Sequence, residues 1–154
     1  MESQNYVIKG SCACGRVKYT GNTVPEKASH CHCTTCQKVA GPFLAVIMVP
    51  LSSIQWTGAA PAIWKRSDVA ERGHCAVCGS SLSMWYYCLK EYIFLTTTSV
   101  DESTNPLPAP SEYICVGEKA SWYEIPDDGV PRFDGMEPHF TTMLEEWRNQ
   151  TLAS

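Results

Sequence analysis

Apolar and polar residues in this chain alternate in short runs bounded by turn residues, and the long periodic stretches that build helices are scarce. Such runs predict strands. Over residues 6–20 the β-prone pieces Tyr6-Val7-Ile8 and Val17-Lys18-Tyr19 are broken by Gly10 and Gly15, which predicts a hairpin with a cysteine-rich turn. Residues 43–49 form a continuous apolar run rich in branched side chains and closed by Pro50, as expected of a buried strand. Ile54-Gln55-Trp56-Thr57, ahead of Gly58, reads as its neighbour in the sheet. Further strands are expected at 63–66, 70–73, 81–87 and 92–98. The tail 137–152 is the exception: Phe140, Met143, Leu144 and Trp147 recur at three- and four-residue spacing, and Pro138 suits a first helical turn. The pattern predicts an all-β fold with one C-terminal α-helix, packed on a sheet edge or on a partner subunit of a homo-oligomer. Asn105-Pro106-Leu107-Pro108-Ala109-Pro110 predicts an extended loop and Pro126-Asp127-Asp128-Gly129-Val130-Pro131 a turn, neither long enough to separate two domains. One domain over 1–154 is therefore expected, with its core at about 6–135 and no internal repeat.

Composition narrows the partners. With 154 residues and 44 % apolar content the chain has material for a hydrophobic core. Its net charge of −4 supplies no broad basic field, so nucleic acid is not the expected partner. No run approaches the roughly 18 apolar residues of a membrane span, and Met1-Glu2-Ser3-Gln4-Asn5 lacks the basic-then-apolar order of a secretory signal. A soluble, cytoplasmic protein is expected. Nine cysteines then need an account, because a reducing compartment does not sustain a disulfide framework and such a framework uses an even number. Metal binding supplies one.

Zinc is held by thiolates at about 2.3 Å, tetrahedrally, often by close pairs from distant parts of a chain. In Cys12-Ala13-Cys14 the alternate spacing puts both sulfurs on one side of an extended segment. Cys75-Ala76-Val77-Cys78-Gly79 is a zinc-knuckle turn, with Gly79 able to bend sharply under the metal. Together Cys12, Cys14, Cys75 and Cys78 make a closed four-thiolate site that leaves no position for substrate. Cys31, Cys33 and Cys36 then offer three thiolates with one position free, the arrangement of catalytic zinc. The competing reading of this trio is a second structural zinc completed by His, Cys or water, or no metal at all. His30 and His32 flank Cys31 and, in an extended segment, face away from it; His74 is displaced similarly, and His139 has no visible partner. Cys88 and Cys115 lie in β-prone runs and read as ordinary core residues. Trp85, Tyr86, Tyr87, Trp122 and Tyr123 read as core or pocket wall.

Three motifs carry a resemblance: Gly10-Ser11-Cys12-Ala13-Cys14-Gly15-Arg16-Val17, then His30-Cys31-His32-Cys33-Thr34-Thr35-Cys36-Gln37-Lys38, then Arg72-Gly73-His74-Cys75-Ala76-Val77-Cys78-Gly79-Ser80. In order and separation they resemble the glutathione-dependent formaldehyde-activating enzymes, whose domain is shared with centromere protein V. Lys119-Ala120-Ser121-Trp122-Tyr123-Glu124-Ile125 is similar to that family's C-terminal part. The resemblance spans roughly 10–135. It implies an Mss4-like β fold, a structural zinc on Cys12, Cys14, Cys75 and Cys78, and a second zinc on Cys31, Cys33 and Cys36 near which glutathione or its adduct binds. Gln37 stands where many members have Arg, which removes a cationic contact for a glutathione carboxylate; Lys38, Arg16, Arg66 and Lys119 are the candidates to replace it.

The chemistry that follows is that of a carbon–sulfur lyase. A free thiol of pKa near 8.5 is only a few per cent ionised at neutral pH, and zinc ligation removes most of that handicap. The anion then adds to a small carbonyl compound such as formaldehyde, or leaves it in the reverse direction. Two rivals are a zinc enzyme acting on another small metabolite, in an apolar pocket shaped by the 105–110 loop and the aromatics, and a zinc-stabilised binding module using the C-terminal helix.

Overall fold

The computed structural model describes residues 6–154. By Cα proximity the chain falls into two compact units, one comprising residues up to Ala28 with Ala45–Ala109, the other Ser29–Leu44 with Pro110–Ser154.

In the first unit the expected hairpin is formed by β1 (Val7–Ser11) and β2 (Lys18–Asn22), paired antiparallel from Val7↔Asn22 to Ser11↔Lys18. Alternation sends Ile8 and Tyr19 into the core, where both are almost wholly buried. The apolar run becomes β4 (Leu44–Pro50), and Ile54–Trp56 becomes β5. These two are neighbours in the chain and not in the sheet, contrary to the expectation: β5 pairs with β2, while β4 pairs antiparallel with β9 (Tyr92–Thr96). The physical reason is their burial. Ile47 and Val49 of β4 are completely buried and need cover, whereas Ile54 and Trp56 of β5 are half-buried and sit at the margin of the core. β9 continues antiparallel through β8 (Ser81–Tyr86) and β7 (Ala70–His74) to β6 (Ala62–Trp64), each close to its expected span. β10 (Val100–Ser103), which the pattern did not indicate, pairs with the outer side of β1. The core of this unit collects Tyr6, Ile8, Tyr19, Ile47, Val49, Ile93 and Leu95.

The second unit contains the pair β3 (Lys27–Cys31), which starts in the first unit, and β11 (Glu112–Ile114), parallel and in register from Glu112↔Ser29 to Ile114↔Cys31. Neither was expected. The Ser29 hydroxyl donates to the Glu112 carboxylate at 2.8 Å, pairing two polar groups that are otherwise buried. A short helix, α1 (Thr34–Ala40), follows β3, and α2 (Pro138–Leu152) closes the chain where the tail helix was expected. Glu137 caps α2 by accepting from the His139 and Phe140 amides at 3.0 Å each. Phe140, Met143, Leu144 and Trp147 are its half-buried face. The fold is thus mostly β with a C-terminal helix, and fits the Mss4-like expectation. No helix among the described residues is long and apolar enough to cross a membrane.

Candidate metal centres

The first unit brings together Cys12, Cys14, Cys75 and Cys78, whose sulfurs all lie within 4.8 Å of one another. Two glycine-closed turns, one a residue longer than the other, present them. After β1 the Gly15 amide donates to the Cys12 carbonyl at 2.9 Å, and after β7 the Gly79 amide donates to the Cys75 carbonyl at 2.9 Å. Gly15 and Gly79 take φ of 74° and 77°, a left-handed turn that glycine adopts without steric cost. Cys12 receives a hydrogen bond from the Val17 amide at 3.2 Å, and Cys75 from the Val77 and Cys78 amides at 3.4 and 3.5 Å. Backbone dipoles therefore already point at the sulfurs as they would at thiolates.

The spacing suits zinc. Four sulfurs at 2.3 Å from one ion stand about 3.8 Å apart in a tetrahedron; Cys12 and Cys14 are 3.5 Å apart, and Cys14 and Cys75 3.7 Å. Charge makes the same point. The Ser80 hydroxyl, with the Ser80 and Cys14 amides, draws the Cys78 thiol down to about 5. Cys14 is pushed up to about 11: the Arg16 amide lowers it, but the neighbouring Cys12, burial, Cys78 and Cys75 together outweigh that amide. Four such sulfurs do not share full ionisation unless a cation lies among them. Beneath them Cys12, Val17, Cys75 and Leu82 form a small buried cluster with Trp56 against it, so the site is fastened to the core.

The second unit brings together Cys31, Cys33 and Cys36, again within 4.8 Å of one another. Cys31 ends β3, Cys33 caps α1, and Cys36 lies in its first turn. The Cys33 sulfur accepts from the Cys36 amide at 3.3 Å in the manner of an N-cap side chain. Cys31 and Cys36 are buried and Cys33 is half-buried, so the trio has one face toward the surface. The Cys31 thiol is raised well above its usual value, first by hydrogen bonding to Cys115, then by Cys33 and burial, with Cys36 acting in the opposite direction. The trio, like the quartet, is a set of sulfurs that fits a zinc ion.

Around the trio the structure supplies partners that the sequence did not reveal. The Gln37 amide donates to the His32 carbonyl at 2.6 Å and to the Glu118 carbonyl at 2.7 Å, tying α1 to the segment after β11. Glu118 in turn accepts from the Thr34 hydroxyl at 2.8 Å. His32 is completely buried, within 6 Å of both Phe43 (5.3 Å) and Tyr123 (5.9 Å), and among the described residues neither of its ring nitrogens meets a hydrogen-bond partner. Burial, assisted by Lys119, lowers its affinity for a proton. His30 stacks on Phe43 at 4.3 Å. Among the described residues neither histidine is grouped with the sulfur sets, and only His30 lies in an extended strand. Among the candidate cations, Lys119 belongs to this unit and donates to the Tyr123 carbonyl at 3.0 Å; Lys38 is exposed in the last turn of α1. Tyr123 packs on His32 and Phe43, Trp122 is largely exposed, and Cys88 is half-buried. Trp85 lines an apolar cleft of about 270 Å³ in the first unit with Trp56, Ile63 and Glu71; the 105–110 loop is not part of that lining.

Set beside known proteins, the chain matches the model of the glutathione-dependent formaldehyde-activating enzymes over residues 7–116. It belongs to that family, whose enzymes are zinc- and glutathione-related. Among solved structures it is similar to a crystal structure of a Rhodobacter sphaeroides protein, with a TM-score of 0.54 and 18 % identity over 64 % of this chain and 91 % of that one, a likeness of fold. No curated protein matches the sequence.

Proposed function

We propose that this protein is a zinc-dependent carbon–sulfur lyase that forms or cleaves the adduct of glutathione, or another thiol, with a small carbonyl compound such as formaldehyde. The observation that carries the reading is the inequality of the two sulfur sets: four sulfurs complete a tetrahedron, and three leave a place. Cys12, Cys14, Cys75 and Cys78 hold a structural zinc; Cys31, Cys33 and Cys36 hold the catalytic one. That second zinc, when bound, lowers the pKa of an incoming thiol and polarises a carbonyl oxygen.

The chain's own residues account for the rest. The half-buried Cys33 marks the side from which a ligand approaches, and Gln37 and Glu118 hold the Cys33–Cys36 turn against the segment that carries Lys119. His32, buried against Phe43 and Tyr123, belongs to the packed wall behind the trio. Lys119 and Lys38 are the basic side chains of this unit that are candidates for a glutathione carboxylate, in place of the arginine that Gln37 replaces. The free state of all nine cysteines suits a reducing compartment, the cytoplasm, and a small-molecule substrate.

The test follows adduct formation by NMR with a panel of thiols and aldehydes, wild type against Cys33→Ser. The reading requires glutathione-dependent turnover that Cys33→Ser abolishes while the circular dichroism stays native. Turnover indifferent to every thiol would eliminate it.

A further inference from the structure

The apolar cleft of the first unit contains no member of either sulfur set, and strand register explains why it is there. Across β6, β7 and β8 the paired residues are Ile63 with Gly73, Gly73 with Ser83, and Glu71 with Trp85. Residues two apart on a strand share a face, so Gly73 and Ser83 form a floor of small side chains beside Glu71 and Trp85. A Cβ at Gly73 would collide with the Ser83 Oγ and crowd Pro61 at 3.2 Å, so glycine keeps the floor open. The cavity of about 270 Å³ is just under the roughly 300 Å³ at which sites for drug-sized ligands begin. Its walls are fixed. Trp56 packs against the core and against the cluster beneath the quartet, edge-on to Tyr19. Trp85 donates its indole N–H to the Lys90 carbonyl at 3.2 Å and meets the Tyr87 ring edge-on at 5.4 Å.

Glu71 is the charged residue of this lining, half-buried in otherwise apolar surroundings. Two partners meet its carboxylate, both at Oε2: the Tyr87 hydroxyl at 3.2 Å and the Lys65 ammonium at 3.8 Å. Among the described residues Oε1 meets no donor. Lys65 is largely exposed, and an ion pair of that kind contributes little. A carboxylate so placed favours a further cation.

We propose that the cleft binds a small primary ammonium compound with an apolar body, its nitrogen donating to Glu71 Oε1 and its hydrocarbon lying against Trp56, Ile63 and Trp85. The apolar lining takes the hydrocarbon, and indole rings attract a cation as well. The carboxylate repels anions and favours an ammonium over a neutral group of the same shape. A guanidinium would claim both carboxylate oxygens, one of which already serves Tyr87. The buried Ser83 hydroxyl on the floor offers a second acceptor to an N–H, which a quaternary ammonium lacks. The site does not depend on the metal reading of the trio.

The experiment titrates full-length, zinc-loaded protein with phenethylammonium, phenethyl alcohol and hydrocinnamate, closely matched skeletons in cationic, neutral and anionic form, following the indole N–H signals by NMR. Phenethylammonium should shift the signals of Trp56 and Trp85 and leave those of Trp122 and Trp147, which do not line the cleft. It should bind at least about tenfold more tightly than the alcohol, the usual margin of a charge-assisted hydrogen bond, and hydrocinnamate should not bind. Glu71→Gln, which keeps an acceptor for the Tyr87 hydroxyl, should bring ammonium and alcohol to equal affinity. The proposal is overturned if neither cleft indole responds at millimolar ammonium, if the three compounds bind alike, or if Glu71→Gln retains the preference. It is also overturned if the two signals follow protein concentration and not ligand, which would put a second copy of the chain in the cleft.

Discussion

The two sulfur sets place the same amino acid in different surroundings. The quartet is made by two cysteine turns, each ending in a left-handed glycine and each rooted in the cluster of Val17 and Leu82. The trio has a strand end on one side and a helix start on the other, and its neighbours are polar side chains and unpaired ring nitrogens. Backbone amides and apolar packing suit a site that must not change; adaptable side chains suit one that must exchange a ligand. On the proposed reading, the structural and the reactive site differ less in their ligands than in what surrounds them.

The largest expected effect would come from breaking the quartet. Cys75→Ser should abolish the cooperative thermal transition, because a structural zinc contributes folding free energy of about 10 kcal/mol or more. A native-like melt for this variant would mean that the quartet is not what holds the first unit together. Next, Cys33→Ser should cost at least about 100-fold in turnover while shifting the melting temperature little. If it melts like Cys75→Ser, the contrast between the centres collapses. Smaller again, Gln37→Ala removes two hydrogen bonds beside the trio and should cost about 1–2 kcal/mol. Native mass spectrometry should then show metal lost from the trio and kept by the quartet; equal loss from both would break the assignment of Gln37 to one centre.

The smallest effect distinguishes the units by their phenols. Tyr19 is raised from 10.0 to about 12, chiefly by burial, and Tyr113 from 10.0 to about 12, chiefly by its 2.6 Å hydrogen bond to Asp128. Both are acids whose neutral form the fold favours. Their stabilisation is therefore complete below pH 10 and is lost as pH rises through about 12. Asp128→Asn should bring only Tyr113 back toward its ordinary value, followed by tyrosinate absorbance. A matching fall at Tyr19 would show that the two are not set by separate causes.

Much of the fold could be read along the chain because its strands obey local rules. Ile8, Tyr19, Ile47 and Val49 sit on alternating or continuous apolar runs, and Phe140, Met143, Leu144 and Trp147 on a helical one. The misses have physical reasons. In β3, Lys27-Ala28-Ser29-His30-Cys31, the buried Ser29 relies on Glu112, 83 residues away, and no local pattern announces that bond. Helix α1, Thr34-Thr35-Cys36-Gln37-Lys38-Val39-Ala40, is under two turns long and opens with β-branched residues, so neither periodicity nor propensity marks it. The order of β5 and β4 followed from which apolar residues needed complete cover.

By itself, then, the sequence determined which sulfurs gather into sets that could hold a metal. Ligand spacing is a short-range property, fixed by bond geometry over two or three residues, and it already separated four sulfurs from three. Tertiary structure alone decided what each sulfur meets. Gln37 comes against the Glu118 carbonyl, and His32 between Phe43 and Tyr123, only once β11 has returned beside β3. Those contacts join residues tens of positions apart. Their cost in chain entropy is met by the whole folded unit, so no stretch of sequence shorter than that unit can specify them.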